Sequence, residues 1–240
     1  MASDQPSGIR MDMFASCLAR LRPVHKARLC RVAAAEGRLE MLMFLHGQSC
    51  PLNAEVCEAA ARINRLDILE WARGQGCPWD ANACTEAAGA GHMELLKWLH
   101  DQGCPWDADT CEVAARIGRL DILEWARGQG CPWDERTCKG AAAEGRLDAL
   151  MWLRGQGCPW DAGVCEDAAW IGRRDILEWA RGKGCPWDEW TCAAAAGGGH
   201  LDLLQWARGQ GCPWDERTRR WAKDFGHSEV LQWARVNGCP

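Results

Sequence analysis

The chain has 240 residues, 48% of them apolar and 25% charged, and a formal net charge of −5. That balance leaves ample residues for a continuous core, and the acidic sum without a long run of one sign excludes the basic footprint that nucleic-acid binding requires. No stretch reaches the roughly 18–20 apolar residues of a membrane span, and the opening MASDQPSGIRMDMFASC lacks the layout of a secretory signal, so a cytoplasmic setting is expected.

Sixteen Cys and 16 Trp beside no Tyr point to a few words used many times. In chain order, residues 1–9 are expected to be disordered, and residues 10–22, which include the amphipathic MDMFASCLARL, to form an N-terminal capping helix. Cysteines then fall at 50, 77, 104, 131, 158, 185, 212 and 239, each 27 from the last, and a second series from 30 to 192 keeps the same step. With Pro23 in the place of a first Cys, the pattern predicts eight repeats over residues 23–238, and residues 239–240 begin another. In the last full repeat, Arg219 and Lys223 stand at expected core positions, as a capping repeat would have them; cap and truncation both stay open.

Residues 131–157, CPWDERTCKGAAAEGRLDALMWLRGQG, show the content of one repeat. Asp134 suits an N-cap, Glu135 the positive first turn that follows, and Gly145 a stop after Ala141, Ala142 and Ala143. A second helix is predicted from Arg146 or Leu147, with Leu147, Leu150, Trp152 and Leu153 at helical spacing and Gly157 at its end. Helices of about nine residues do not persist alone, so the repeats must stack into an α-solenoid.

AAEGRLDALMWLRGQG, and its returns AAGAGHMELLKWLHDQG at 87–103 and AAGGGHLDLLQWARGQG at 195–211, resemble the helix-turn-helix part of an ankyrin repeat. The Cys-Pro-Trp-Asp form more narrowly resembles the short ankyrin-like repeats of giant DNA viruses and some algae and oomycetes. The repeat is six residues shorter than the common ankyrin period of about 33, and the Thr-Pro-Leu-His box is absent. The resemblance therefore implies an all-α, ankyrin-like solenoid with reduced or absent β-hairpins, acting in a cell as an interaction module, in a virus-encoded setting or otherwise.

The repeated residues read as architecture. One Trp ladder runs through the cassette (Trp79 to Trp214) and another through the second helix (Trp71 to Trp233); burying each indole between neighbours would contribute about 4–6 kcal/mol before entropy is deducted. Pro after the first Cys stops the preceding helix. Equivalent cysteines of successive repeats should lie roughly 8–10 Å apart, too far for disulfides, which need Cα atoms within about 7 Å. Cys77 with Cys84, or Cys84 with Cys104, stay open as close pairs, so zinc or disulfides are the alternative to simple packing, which is preferred. His92, His200 and His227 stand where other repeats have Arg38, Arg65, Arg119, Arg146 and Arg173, an exchange that excludes a ligand or a general base. Asp67, Asp121, Asp148, Asp175 and Asp202 suit the first turn of the second helix. No phosphate loop or nucleophile motif occurs, and no enzyme, metal or cofactor is expected.

Information about partners must sit where repeats differ, on the first helices. The three tryptophans outside both ladders, Trp170, Trp190 and Trp221, fall on that variable face in three consecutive repeats, with Asp167, Arg217 and Arg220 beside them. Aromatic anchors with mixed charge suit a protein-binding surface. The competing reading is local repacking, with Trp filling space left by Gly197 and Gly198. The expectation is a monomeric, non-enzymatic scaffold for a protein partner; a metal-binding or redox cysteine array is the runner-up.

Overall fold

Two helices form in every 27-residue period, and the residues at their ends explain why. A computed structural model describes residues 18–240, in two compact units, one ending at Trp106 and one spanning Asp107–Pro240. The first contains α1 (Pro23–Ala35), α2 (Leu39–Gly47), α3 (Ala54–Arg62), α4 (Leu66–Gly74), α5 (Ala81–Gly89) and α6 (Met93–Asp101). The second contains α7 (Ala108–Arg116), α8 (Leu120–Gly128), α9 (Glu135–Ala143), α10 (Leu147–Gly155), α11 (Gly163–Trp170), α12 (Arg174–Gly182), α13 (Glu189–Gly197), α14 (Leu201–Gly209), α15 (Glu216–Asp224) and α16 (Ser228–Val236). No strand occurs among the described residues, so the β-hairpin of the longer repeat is missing here as expected. The disorder expected for residues 1–9, and most of the capping helix expected over 10–22, lie outside the described residues.

The Asp134 carboxylate accepts a hydrogen bond from the Arg136 N–H at 3.0 Å and caps α9. Asp80, Asp107, Asp188 and Asp215 do the same at 2.9–3.0 Å. Such caps typically stabilise a helix by about 1 kcal/mol. Past its C-terminus, Gly145 adopts φ 68°, which lets the N–H groups of Gly145 and Arg146 reach back to the carbonyls of Ala142 and Ala141 at 3.0 and 2.8 Å. α10 begins at Leu147, inside the expected window, and is followed by Gly157 at φ 80°. Ser49 and Asn64 take the same left-handed conformation where the sequence lacks the glycine.

First helices of successive repeats pack on one another, α1 with α3 and α3 with α5 in the first unit, and α7, α9, α11, α13 and α15 in sequence in the second. Their contact surfaces are small: Cys138, Ala141 and Ala142 of α9 are fully buried, as are Cys111, Ala114 and Ala115 of α7. Small side chains let backbones approach closely, as the sequence reading of Cys beside Ala requires. The second helices supply the larger buried groups, among them Ile122, Leu123, Leu150 and Leu153, each contributing about 1.5–3 kcal/mol.

The tryptophan ladders correct the sequence reading. Every ladder indole is half-buried rather than hidden between neighbours. The two indoles of one repeat meet edge to face, Trp133 with Trp152 at 6.1 Å and Trp160 with Trp179 at 5.8 Å. The Arg near the end of the preceding second helix covers the cassette indole, with His100 taking its place over Trp106 at 4.2 Å: Arg127 stands 3.8 Å above Trp133 and donates to the Cys131 carbonyl at 2.6 Å. Arg73 treats Trp79 and Cys77 alike, at 4.0 and 2.6 Å. The physical reason is volume: Cys and Ala draw the first helices too close to admit an indole, so the rings line the rim, where a guanidinium shields most of the cassette indoles.

Candidate functional site

Residues that change from repeat to repeat occupy the exposed face of the first helices, and over most of the chain they form ion pairs from one repeat to the next. In the first unit the Arg62 guanidinium donates to Glu86 at 2.7 Å. In the second, Arg136 pairs with Asp109 at 2.8 Å and Arg116 with Glu144 at 3.1 Å. From α11 to α15 rings replace this lattice.

Gly197, near the end of α13, is the seat of those rings. A Cβ at Gly197 would come within 2.7 Å of Trp170 and 3.0 Å of Trp221, which arrive from the repeats on either side. Over the seat Trp170 and Trp221 meet edge to face at 5.8 Å, Phe225 closes on Trp170 at 5.1 Å, and Trp190 lies against Trp221 at 5.6 Å. Arg217 stacks 4.1 Å above Trp190 while pairing with Asp215 at 3.2 Å. The competing reading of Trp filling space holds at Gly197 but not at Gly198, which faces the Trp170 carbonyl and the His200 ring, and the group keeps an open surface: Trp170 and Trp190 are each 38% exposed and Phe225 54%.

The structure thus brings Trp170, Trp190, Trp221 and Arg217 together. Arg220 is largely exposed and pairs with Asp224 at 3.5 Å. Asp167 sits half-buried on α11. Burial pushes its carboxyl up to about 6, opposed by Lys139 of the preceding repeat and reinforced by Glu166 and Asp161. Phe225 was not among the sequence candidates. Its signal was available: it follows Trp221 by four residues, where Ile63, Ile117 and Ile171 stand in other repeats, and spacing by four places two rings on one helical face.

The interchange of Arg and His before the second helix also has a geometric reason. Arg173 donates to the Gly145 carbonyl at 2.7 Å and Arg146 to that of Arg116 at 3.1 Å. His200 reaches the Trp170 carbonyl at 3.0 Å, and His92 that of Arg62 at 3.1 Å. Either side chain can present an N–H to a turn of the preceding repeat. Arg65, Arg119 and Arg173 also clasp Asp67, Asp121 and Asp175, and this pairing, more than the helix terminus, lowers those carboxyls. Among the described residues no group of three or more His, Cys, Asp and Glu gathers in metal-binding geometry.

No family model matches this sequence, and comparison with curated proteins likewise finds no match. Among solved structures the chain is similar to the ankyrin repeat domain of human ASB11, with a TM-score of 0.51 and 16% identity, over 65% of this chain and 84% of that one. At that identity the likeness is one of fold: the chain is an ankyrin-like α-solenoid of helix-turn-helix repeats.

Proposed function

We propose that this chain is a non-enzymatic, intracellular scaffold that binds a protein partner through Trp170, Trp190 and Trp221, with Asp167, Arg217 and Arg220 at the margin. Ankyrin-like folds serve protein–protein interaction, and the observation that supports a specific face here is the exposed aromatic group over Gly197, set where other repeats carry ion pairs. Such a surface is costly to leave in water and inexpensive to order on binding, because each ring is already held by its neighbours. The chain acts as a monomer without cofactor or nucleic acid, and its Cys-Pro-Trp-Asp cassettes support a place among the short ankyrin-like repeats of giant viruses, algae and oomycetes.

The test is capture of partners by the purified chain beside Trp190→Ala and Trp221→Ala, with helicity checked by circular dichroism. A partner held by the parent chain should lose at least about tenfold in affinity with either variant, as truncating a hot-spot residue costs ~1.4 kcal/mol or more. Equal affinity in a folded variant would remove this face from the proposal.

A further inference from the structure

All 15 described cysteines are buried, and tertiary structure sorts them in a way their spacing does not announce. The second Cys of one repeat meets the first Cys of the next, twenty residues further on. Cys57 and Cys77 have their sulfur atoms 3.8 Å apart. The same two positions interact from repeat to repeat, Cys84 with Cys104 and so on from Cys30 with Cys50, and at the far end the Cys192 thiol donates to the Cys212 carbonyl at 3.9 Å. The exception is Cys239: Arg219 occupies the place of its partner thiol. The sequence left Cys77 with Cys84 and Cys84 with Cys104 as candidates, and the structure selects the second pattern throughout.

The first Cys of a repeat is fixed by donating to a carbonyl of the preceding cassette, Cys77 to Asn53 at 3.3 Å and Cys104 to Asp80 at 3.4 Å; the second Cys of the preceding repeat makes no such backbone bond at Cys57 and turns its sulfur to Cys77. We propose that each cross-repeat thiol pair is a modification site for hydrogen peroxide, at which oxidation closes a disulfide between one repeat and the next. A disulfide needs its sulfur atoms about 2.05 Å apart, so the pair must close by under about 2 Å. One thiolate attacks a peroxide oxygen, giving a sulfenic acid and, after protonation of the leaving hydroxide, water. The partner thiolate then attacks that sulfur, forming the S–S bond and releasing a second hydroxide, which takes up the thiol's proton as water. Two thiols and one peroxide thus give one disulfide and two waters. Cys57 and Cys77 are 0% and 1% exposed, so even peroxide, little larger than water, enters through a local opening of the repeat, a smaller one than a bulky disulfide oxidant needs. Within a pair the mutual hydrogen bond splits the two thiols: it lowers Cys57, Cys111 and Cys185 against burial, and with burial it raises Cys77, Cys138 and Cys165.

The experiment treats the full chain, carrying Cys17→Ser, with hydrogen peroxide while its helical circular dichroism is intact, then alkylates free thiols and maps cross-links by mass spectrometry. Disulfides should join cysteines twenty residues apart, Cys239 should remain an alkylated monomeric thiol, and the urea midpoint should rise and then fall back on reduction. Thiols that stay untouched until urea unfolds the chain, or links of any other spacing, would overturn the proposal. A second reading uses Cys77→Ser: Cys57 should then stop at a sulfenic or sulfinic acid, whereas an unmodified Cys57 in a folded variant counts against it.

Discussion

In the second unit, the first-helix face from Ala108 to Glu144 and the same face from Gly163 to Phe225 rest on one framework and carry opposite chemistry. Beneath both lie the same buried cysteines and alanines, Cys111, Ala114 and Ala115 in one and Cys165, Ala168 and Ala169 in the other. Above the first runs a lattice of exposed ion pairs, Arg136 with Asp109 and Arg116 with Glu144. Above the second, rings from three repeats meet over Gly197. The difference teaches that the framework does not dictate the face. It teaches also that the two faces are not equally free: flexible ion pairs adapt to what lies under them, whereas the aromatic group needs a notch of a definite shape.

That contrast can be broken most severely at the two glycines. Gly197→Val should lose about 2–3 kcal/mol in urea unfolding, since its side chain must displace the rings of Trp170 and Trp221. Near-ultraviolet circular dichroism should report the lost ring packing. Gly140→Ala, on the polar side, meets the Cγ atoms of Arg116 and Glu112 at 2.8 and 3.2 Å and the Glu112 carbonyl at an ordinary 3.4 Å. Arg116 and Glu112 must change rotamer to clear it, but both chains reach the surface and alanine favours the helix, so the two effects offset and stability should stay within about 1 kcal/mol of the parent. Equal losses at both sites would mean that the two faces are equally rigid.

Next in size comes Asp167. Its folded value is raised to about 6, so folding favours the protonated form. The stability of the chain should therefore be highest on this account near pH 4, and decline as pH rises from the ordinary carboxyl value through about 6. Asp167→Asn should remove that decline and gain on the order of 1 kcal/mol at pH 7, discounted for partial exposure; a variant that keeps the parent's pH profile would place the charge elsewhere. The smallest effect belongs to the ion-pair lattice. Arg116→Ala should change stability by less than about 1 kcal/mol, and the change should fade in high salt, because both partners are about half exposed.

Much of the candidate face was legible because it broke a pattern. Trp170, Trp190 and Trp221 stood out against two regular ladders, and Gly197 was visible as the space they could fill. Phe225 was missed because a ring four residues after another reads as ordinary helix packing until both are seen over one glycine. Arg217 was found through its charge, but its stacking on Trp190 is a contact across repeats and has no local signature.

By itself the sequence determined the period, the two helices of each repeat, their Asp caps and Gly stops, and the burial of Cys and Ala, since these follow from local propensity and helical spacing. Only the tertiary structure decided how far repeats approach. At that close spacing indoles meant for the interior were held half-buried at the rim under arginine, and cysteines twenty residues apart were set sulfur to sulfur. Spacing along a chain fixes which face a residue occupies; the distance between two such faces depends on the summed volume of everything packed between them.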